Sequence, residues 1–229
     1  GPSPDRMFIG SEGTLGVISR AWMRLQPRPK FRAGASVRFH SFFGAARALR
    51  AIAQAGLYPS NCRILDAQEA FNTGAADGSV AIMVLGFESG DHSPDAWMAR
   101  ALECCADHGG TPEAAKAGDA HLEGAAGIWR NAFIRMPYAR EFLTPAGLIN
   151  DTFETAITWD RFESFHDEVK AATERAIRVK GEVTCRFTHV YPDGPAPYFT
   201  FHALGEPGKL GAQWLAIKSA ALDAVIENG

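Results

Sequence analysis

Apolar and polar positions follow two rhythms along this chain, and the changes of rhythm fall at capping residues and glycines. After Ser41, the run FFGAARALRAIAQAG has helical spacing, with the serine as N-cap and Gly56 as terminator. Ser93, Pro94 and Asp95 supply a cap, a proline at the first helical position and an early acid, for a helix running to Gly109. Three more helices are predicted, from about Asp119 to Met136, from Asp160 to about Val179 and from Pro207 to Asn228. Between them lie short β-type runs: ASVRF (35–39), CRILD (62–66), VAIMVLGFE (80–88), INDTFETAI (149–157), EVTCRFTHVY (182–191) and PYFTFHAL (197–204). INDTFETAI and EVTCRFTHVY partly alternate, which suits an antiparallel sheet with helices packed on one face. The expected fold class is therefore α+β, an antiparallel sheet flanked by helices. The order strand, helix, strand, strand, helix suggests a ferredoxin-like unit used up to twice, although no repeat is legible in the residues.

Composition narrows the function classes. The chain has 229 residues, enough to bury roughly 70% of its unfolded surface. Its net charge of -3 comes without a basic run, which argues against nucleic-acid binding. No apolar stretch reaches the roughly 18 residues of a membrane span, and none reads as a signal peptide. Cys62, Cys104, Cys105 and Cys185 lack CxxC spacing and read as buried thiols in a reducing, cytoplasmic setting. The seven histidines are dispersed without ligand spacing, so no metal is assigned.

One stretch stands apart from the helix-and-strand pattern. GSEGTLG, residues 10–16, packs three glycines, a serine and a threonine into seven positions. Glycine leaves backbone N–H groups unshielded and takes positive φ, so such a loop can approach a phosphate or a flat ring closely. An ordinary glycine-rich turn before a strand is the alternative.

MFIGSEGTLGVISRAWMRLQPRP is similar to the segment closing the FAD-binding domain of vanillyl-alcohol-oxidase-type flavoproteins, and PSNCRILD, RMPYARE, DTFETAITWDRF and TCRFTHVYPDGPAPYFTFHA resemble the alkyldihydroxyacetonephosphate synthase family. That resemblance implies an FAD-dependent enzyme that exchanges the acyl group of acyl-dihydroxyacetone phosphate for a fatty alcohol in ether-lipid synthesis. It implies two regions: residues 1–30 as the end of an FAD-binding domain, and 31–229 as a substrate-binding cap domain. In the family the glycine loop contacts the flavin nucleotide, which points to Gly10, Ser11, Glu12, Gly13, Thr14, Leu15 and Gly16 as cofactor-binding residues. FAD is expected in a longer parent and not on this chain alone. The family also carries a histidine cluster shortly after the segment corresponding to 207–228, before which this sequence ends, so the chain is expected to be inactive by itself.

The resemblance further implies Arg63 and Arg140 as basic lining for flavin and substrate phosphate, which suits the bidentate fork of a guanidinium. Pairing with Asp66 or Glu141 is the structural alternative for each. Tyr198 falls where the family has the tyrosine proposed to move a proton at the substrate carbon, with a plain core tyrosine as the other reading. His189 is a candidate substrate contact. Strand alternation would place it with Tyr191 on one face and Thr188 on the other. Phe133, Ile134, Met136 and Phe142 are candidate lining for an acyl tunnel, or plain core. The implied partners are a lipid-phosphate substrate, a membrane surface met peripherally by the parent, and a second copy of the chain through an unpaired edge in 1–30. Two alternatives stay open: an FAD-linked 2-hydroxyacid dehydrogenase of the D-lactate or glycolate type, and a non-catalytic binding module.

Overall fold

The computed structural model describes residues 3–113 and 124–229. A short helix α1 (Pro4–Phe8) and an extended segment lead into β1 (Phe31–Phe39), α2 (Phe42–Gln54), β2 (Asn61–Leu65), α3 (Ala67–Asn72), β3 (Ala81–Ser89), α4 (Asp95–Ala106) and β4 (Thr111–Pro112). The chain continues through α5 (Gly124–Leu143), β5 (Leu148–Glu154), α6 (Phe162–Ala176), β6 (Gly181–Val190), β7 (Pro195–Leu204) and α7 (Leu210–Asn228). All strand pairings are antiparallel, in one sheet of order β4-β1-β3-β2-β6-β7-β5.

That order resolves into two related halves. The first reads β4-β1-β3-β2, a complete ferredoxin-like sheet. The second reads β6-β7-β5, which among the described residues repeats the order of the first three strands of that arrangement. They join edge to edge through only two register pairs, Ile64 with Phe187 and Leu65 with Arg186. Asp66 reinforces the seam. Its backbone amide donates to the Cys185 carbonyl at 3.0 Å, and its carboxylate accepts from the amides of Cys185 at 2.6 Å and Glu69 at 2.7 Å.

Period-two alternation sorts the strands into two faces. Val37, Phe39, Met83, Leu85, Phe87, Val183, Cys185, Phe187, Phe199 and Phe201 point into one core, closed by α2, α4, α6 and α7. Helix α2 is held there by Ala45, Ala48, Leu49 and Ile52, and its Ser41 hydroxyl accepts from the Gly44 amide at 3.2 Å as the sequence predicts. On the other face α3 covers a smaller cluster of Leu65, Ala70, Val80, Ile82 and Val84. The four cysteines are free thiols, Cys62 half-buried and the others buried, with burial pushing the Cys105 thiol up to about 12.

Helices α3 and α5 depart from the sequence reading, as do the short α1 and β4, which it does not predict. Helix α5 does not end at Met136 but continues through Pro137 to Leu143, the proline forfeiting one backbone hydrogen bond. The expected residues 119–123 of that helix lie outside the described residues. Helix α3, six residues long, was not anticipated. Residues 9–30 form no regular element, and Val17, Trp22 and Leu25 are almost fully exposed.

Candidate functional site

The alternation that buries Cys185, Phe187, Phe199 and Phe201 under the helices sends their neighbours to the opposite face. Cross-strand register there sets out a polar grid: Arg186, Tyr198 and Glu154 in one row, Thr184, Thr200 and Thr152 in the next, and Glu182, His202 and Asn150 in a third. Arg186 is almost completely buried on the half-apolar strand TCRF, so its charge needs a partner. Glu69 of α3 is that partner: one carboxylate oxygen accepts from Arg186 Nη1 at 2.6 Å and the other from the Thr184 hydroxyl at 2.6 Å. The Asp66-x-x-Glu69 spacing would make a capping box. Asp66 plays its half, capping the Glu69 amide, while the Glu69 side chain is diverted to Arg186. Burial pushes the Asp66 carboxyl up to about 6, against the pull of the two amides that donate to it.

Tyr198 is gripped from both neighbouring strands. The Arg186 guanidinium carbon lies 3.9 Å from its ring centroid, a cation–π contact, and its hydroxyl donates to Thr152 Oγ1 at 2.9 Å. Tyr198 is half-buried on the polar face and does not point into the core. The Thr200 hydroxyl, in the middle of the grid and 2% exposed, has no hydrogen-bond partner among the described residues.

Arg63 lies on the same face at the seam. Burial first, and the charge of Arg186 second, pull its guanidinium below the ordinary arginine value. Beyond the two register pairs β2 and β6 splay apart, leaving a cleft of about 370 Å³ lined by Ile52, Tyr58, Asn61, Arg63, Thr188 and His189 among others. Arg63 and His189, predicted as substrate contacts, thus border one cavity. Thr188, expected on the opposite face from His189, is also among the residues that border the cleft, at the point where the β6–β7 register slips between Phe187 and His189. The Arg140 side chain, like that of Phe133, lies outside the described residues; its backbone belongs to α5. Ile134 and Phe142 are exposed and Met136 is half-buried, so they do not form a closed tunnel in this chain.

Residues Gly10 to Gly16 are displayed to solvent, apart from the half-buried Ser11. Gly10 and Gly13 have φ of 83° and 82°, and a Cβ built on either would meet nothing within 4 Å. The loop holds its own shape through Thr14, whose amide and hydroxyl both donate to the Ser11 carbonyl, at 2.9 and 2.6 Å. It offers an open glycine flank, as the approach of a phosphate or flat ring requires. Among the described residues no group of three or more His, Cys, Asp or Glu is placed to hold a metal.

Sequence reasoning missed Arg186, Glu69 and Thr152. A signal existed for the first two: an arginine between Cys and Phe in mid-strand is a buried charge, and Asp66-x-x-Glu69 marks a helix start. Thr152 could be found only through the β5–β7 register.

Comparison with known proteins agrees with this architecture. An alkyldihydroxyacetonephosphate synthase of Caenorhabditis elegans is 26% identical over all of this chain, which spans 42% of that protein's length. A solved alkyldihydroxyacetonephosphate synthase structure superposes with a TM-score of 0.82 at 19% identity, covering 100% of this chain and 45% of that one. Glycolate oxidase subunit GlcD of Bacillus subtilis (strain 168) is 33% identical, but over only 27% of this chain and 13% of its own length. The family described as FAD linked oxidases, C-terminal domain, matches residues 28–229, and the chain belongs to that family.

Proposed function

We propose that this chain is the C-terminal, substrate-binding portion of an FAD-dependent alkyldihydroxyacetonephosphate synthase-like enzyme, with residues 1–30 closing the FAD-binding domain and 31–229 forming the substrate domain. One observation carries this reading over the dehydrogenase alternative. Similarity to synthases extends over the whole chain, in sequence and in fold, whereas similarity to the glycolate oxidase subunit covers about a quarter of it.

On this reading the open glycine flank of Gly10–Gly16 holds part of the FAD, which supplies the redox-active ring beside which the substrate carbon reacts. Arg63, at the seam cleft, holds the phosphate of the lipid substrate, and His189 borders the same cavity. Arg140 contributes further positive charge. Tyr198 moves the proton at the reacting carbon: its oxygen, aligned by the hydrogen bond its hydroxyl donates to Thr152, would take the substrate proton as a phenolate and return it as the phenol. The parent exchanges an acyl group for a fatty alcohol, so no electron acceptor is consumed. The parent works at a membrane surface peripherally.

The test uses the full-length parent with bound flavin, supplied with acyl-dihydroxyacetone phosphate and isotope-labelled fatty alcohol. Label entering an ether product, with fatty acid released and no acceptor reduced, supports the reading. Flavin reduction by a 2-hydroxyacid without label incorporation replaces it with the dehydrogenase. A parent with no flavin favours a binding module.

A further inference from the structure

We propose that Arg186, anchored by Glu69, is a positioning residue that fixes the phenol of Tyr198 in its working orientation. The inference rests on the reading of Tyr198 as the proton-transfer group and adds residues which that reading did not contain. Three observations carry it. Arg186 and Tyr198 are direct cross-strand partners, so the backbone register itself brings the guanidinium over the ring at 3.9 Å. Thr152, on the strand beyond, takes the hydroxyl at 2.9 Å. A ring held on its face from β6 and at its tip from β5 has one orientation left. Finally, Arg186 is itself immobilised: Glu69 binds it at 2.6 Å, Thr184 occupies the other Glu69 oxygen, and Asp66 caps the Glu69 amide.

Stability alone is a weak reason to bury such a pair, because desolvating two charges consumes most of what their attraction returns. Its placement against the single phenol of the polar grid supplies the missing reason. Arginine is specifically suited to it. A planar guanidinium can lie flat on a ring while its edge meets a carboxylate, and the compact ammonium of lysine cannot do both.

The experiment uses the full-length parent and three variants, Arg186→Lys, the paired Arg186→Met with Glu69→Gln, and Glu69→Gln alone, each made in the wild-type and in the Tyr198→Phe background. The paired variant avoids stranding a buried carboxylate, and circular dichroism with flavin absorbance confirms folding. For Arg186→Lys and the paired variant, kcat is expected to fall by about tenfold or more, with KM held within about twofold, since only the proton-transfer geometry is lost. In the Tyr198→Phe background the same changes should alter the residual rate by less than about twofold, because the residue they act through is gone. Equal losses in both backgrounds, or full rescue of kcat by lysine, overturn the proposal. Should the wild-type parent show no exchange activity, the functional reading fails separately, and ring signals of Tyr198 in this chain decide the positioning. They are identified by NMR through their loss in Tyr198→Phe. Faster ring flipping in Arg186→Lys supports the proposal, and an unchanged flip rate overturns it.

Discussion

Removing Arg186 tests the chemistry of the polar face through stability alone. In Arg186→Met, Glu69, 3% exposed in the native chain, keeps the Thr184 hydroxyl as its side-chain donor among the described residues, so a charge once shared with a guanidinium is left in a poorly solvated place. Breaking a buried pair from one side costs about 3–5 kcal/mol, and the lost contact with the Tyr198 ring can only add to it. Removing both charges, in Arg186→Met with Glu69→Leu, eliminates the stranded carboxylate. The remaining penalty is the orphaned Thr184 hydroxyl, about 1–3 kcal/mol. The double variant is therefore expected to be more stable than the single one by roughly 2 kcal/mol. Urea unfolding of this chain, followed by far-UV circular dichroism, reads the difference: with a slope of about 2–3 kcal/mol/M, the single change should lower the midpoint by roughly 1–2 M. A single variant that loses less than about 1 kcal/mol, or a double variant less stable than the single, would refute the view that the carboxylate is buried and dependent on Arg186.

In the parent, Tyr198→Phe should lower turnover by about 10²- to 10⁴-fold while flavin content and melting temperature stay near wild type; retention of half the rate removes the tyrosine from the mechanism. Gly194→Ala should destabilise by about 1–3 kcal/mol or more, because the new Cβ would sit 1.9 Å from the Ile157 carbonyl oxygen, and a melt within 1 °C of wild type would contradict that packing. His166 is walled by Phe42, Phe43, Phe162 and Phe199, and burial lowers its pKa despite Asp167 at 2.9 Å. A His pKa lower in the folded than in the unfolded chain gives stability that is present above about 6.5 and lost as pH falls through the folded value. Denaturation at pH 7 and pH 5 should show this loss in wild type and a smaller one in His166→Leu; equal losses would discount the histidine.

The elements legible in the sequence are those whose determinants are local. Helix α2 announces itself through Ser41 and its alanine-rich stripe, and β7 through PYFTFHAL, because caps and periodicity lie within a dozen residues of what they specify. Helix α3 was hidden by its brevity, although Asp66 and Glu69 stood at capping spacing. The slip after Phe187 depends on the β6–β7 partnership and cannot be seen in TCRFTHVY alone. The same division holds at the site. Tyr198 and Arg63 were reached through family resemblance, residue by residue. Glu69, Arg186 and Thr152 belong to a network assembled from α3, β6 and β5, separated by up to 117 positions, and only the sheet order brings them together.

The most direct measurement of the central claim is a competition on one preparation of the flavin-bound parent. Its turnover with acyl-dihydroxyacetone phosphate plus labelled fatty alcohol is compared with its reduction of an artificial acceptor by D-lactate or glycolate. The account predicts label in the ether product and no acceptor reduction above the flavin-free background. Rapid acceptor reduction with no labelled ether would contradict it and assign the parent to hydroxyacid oxidation.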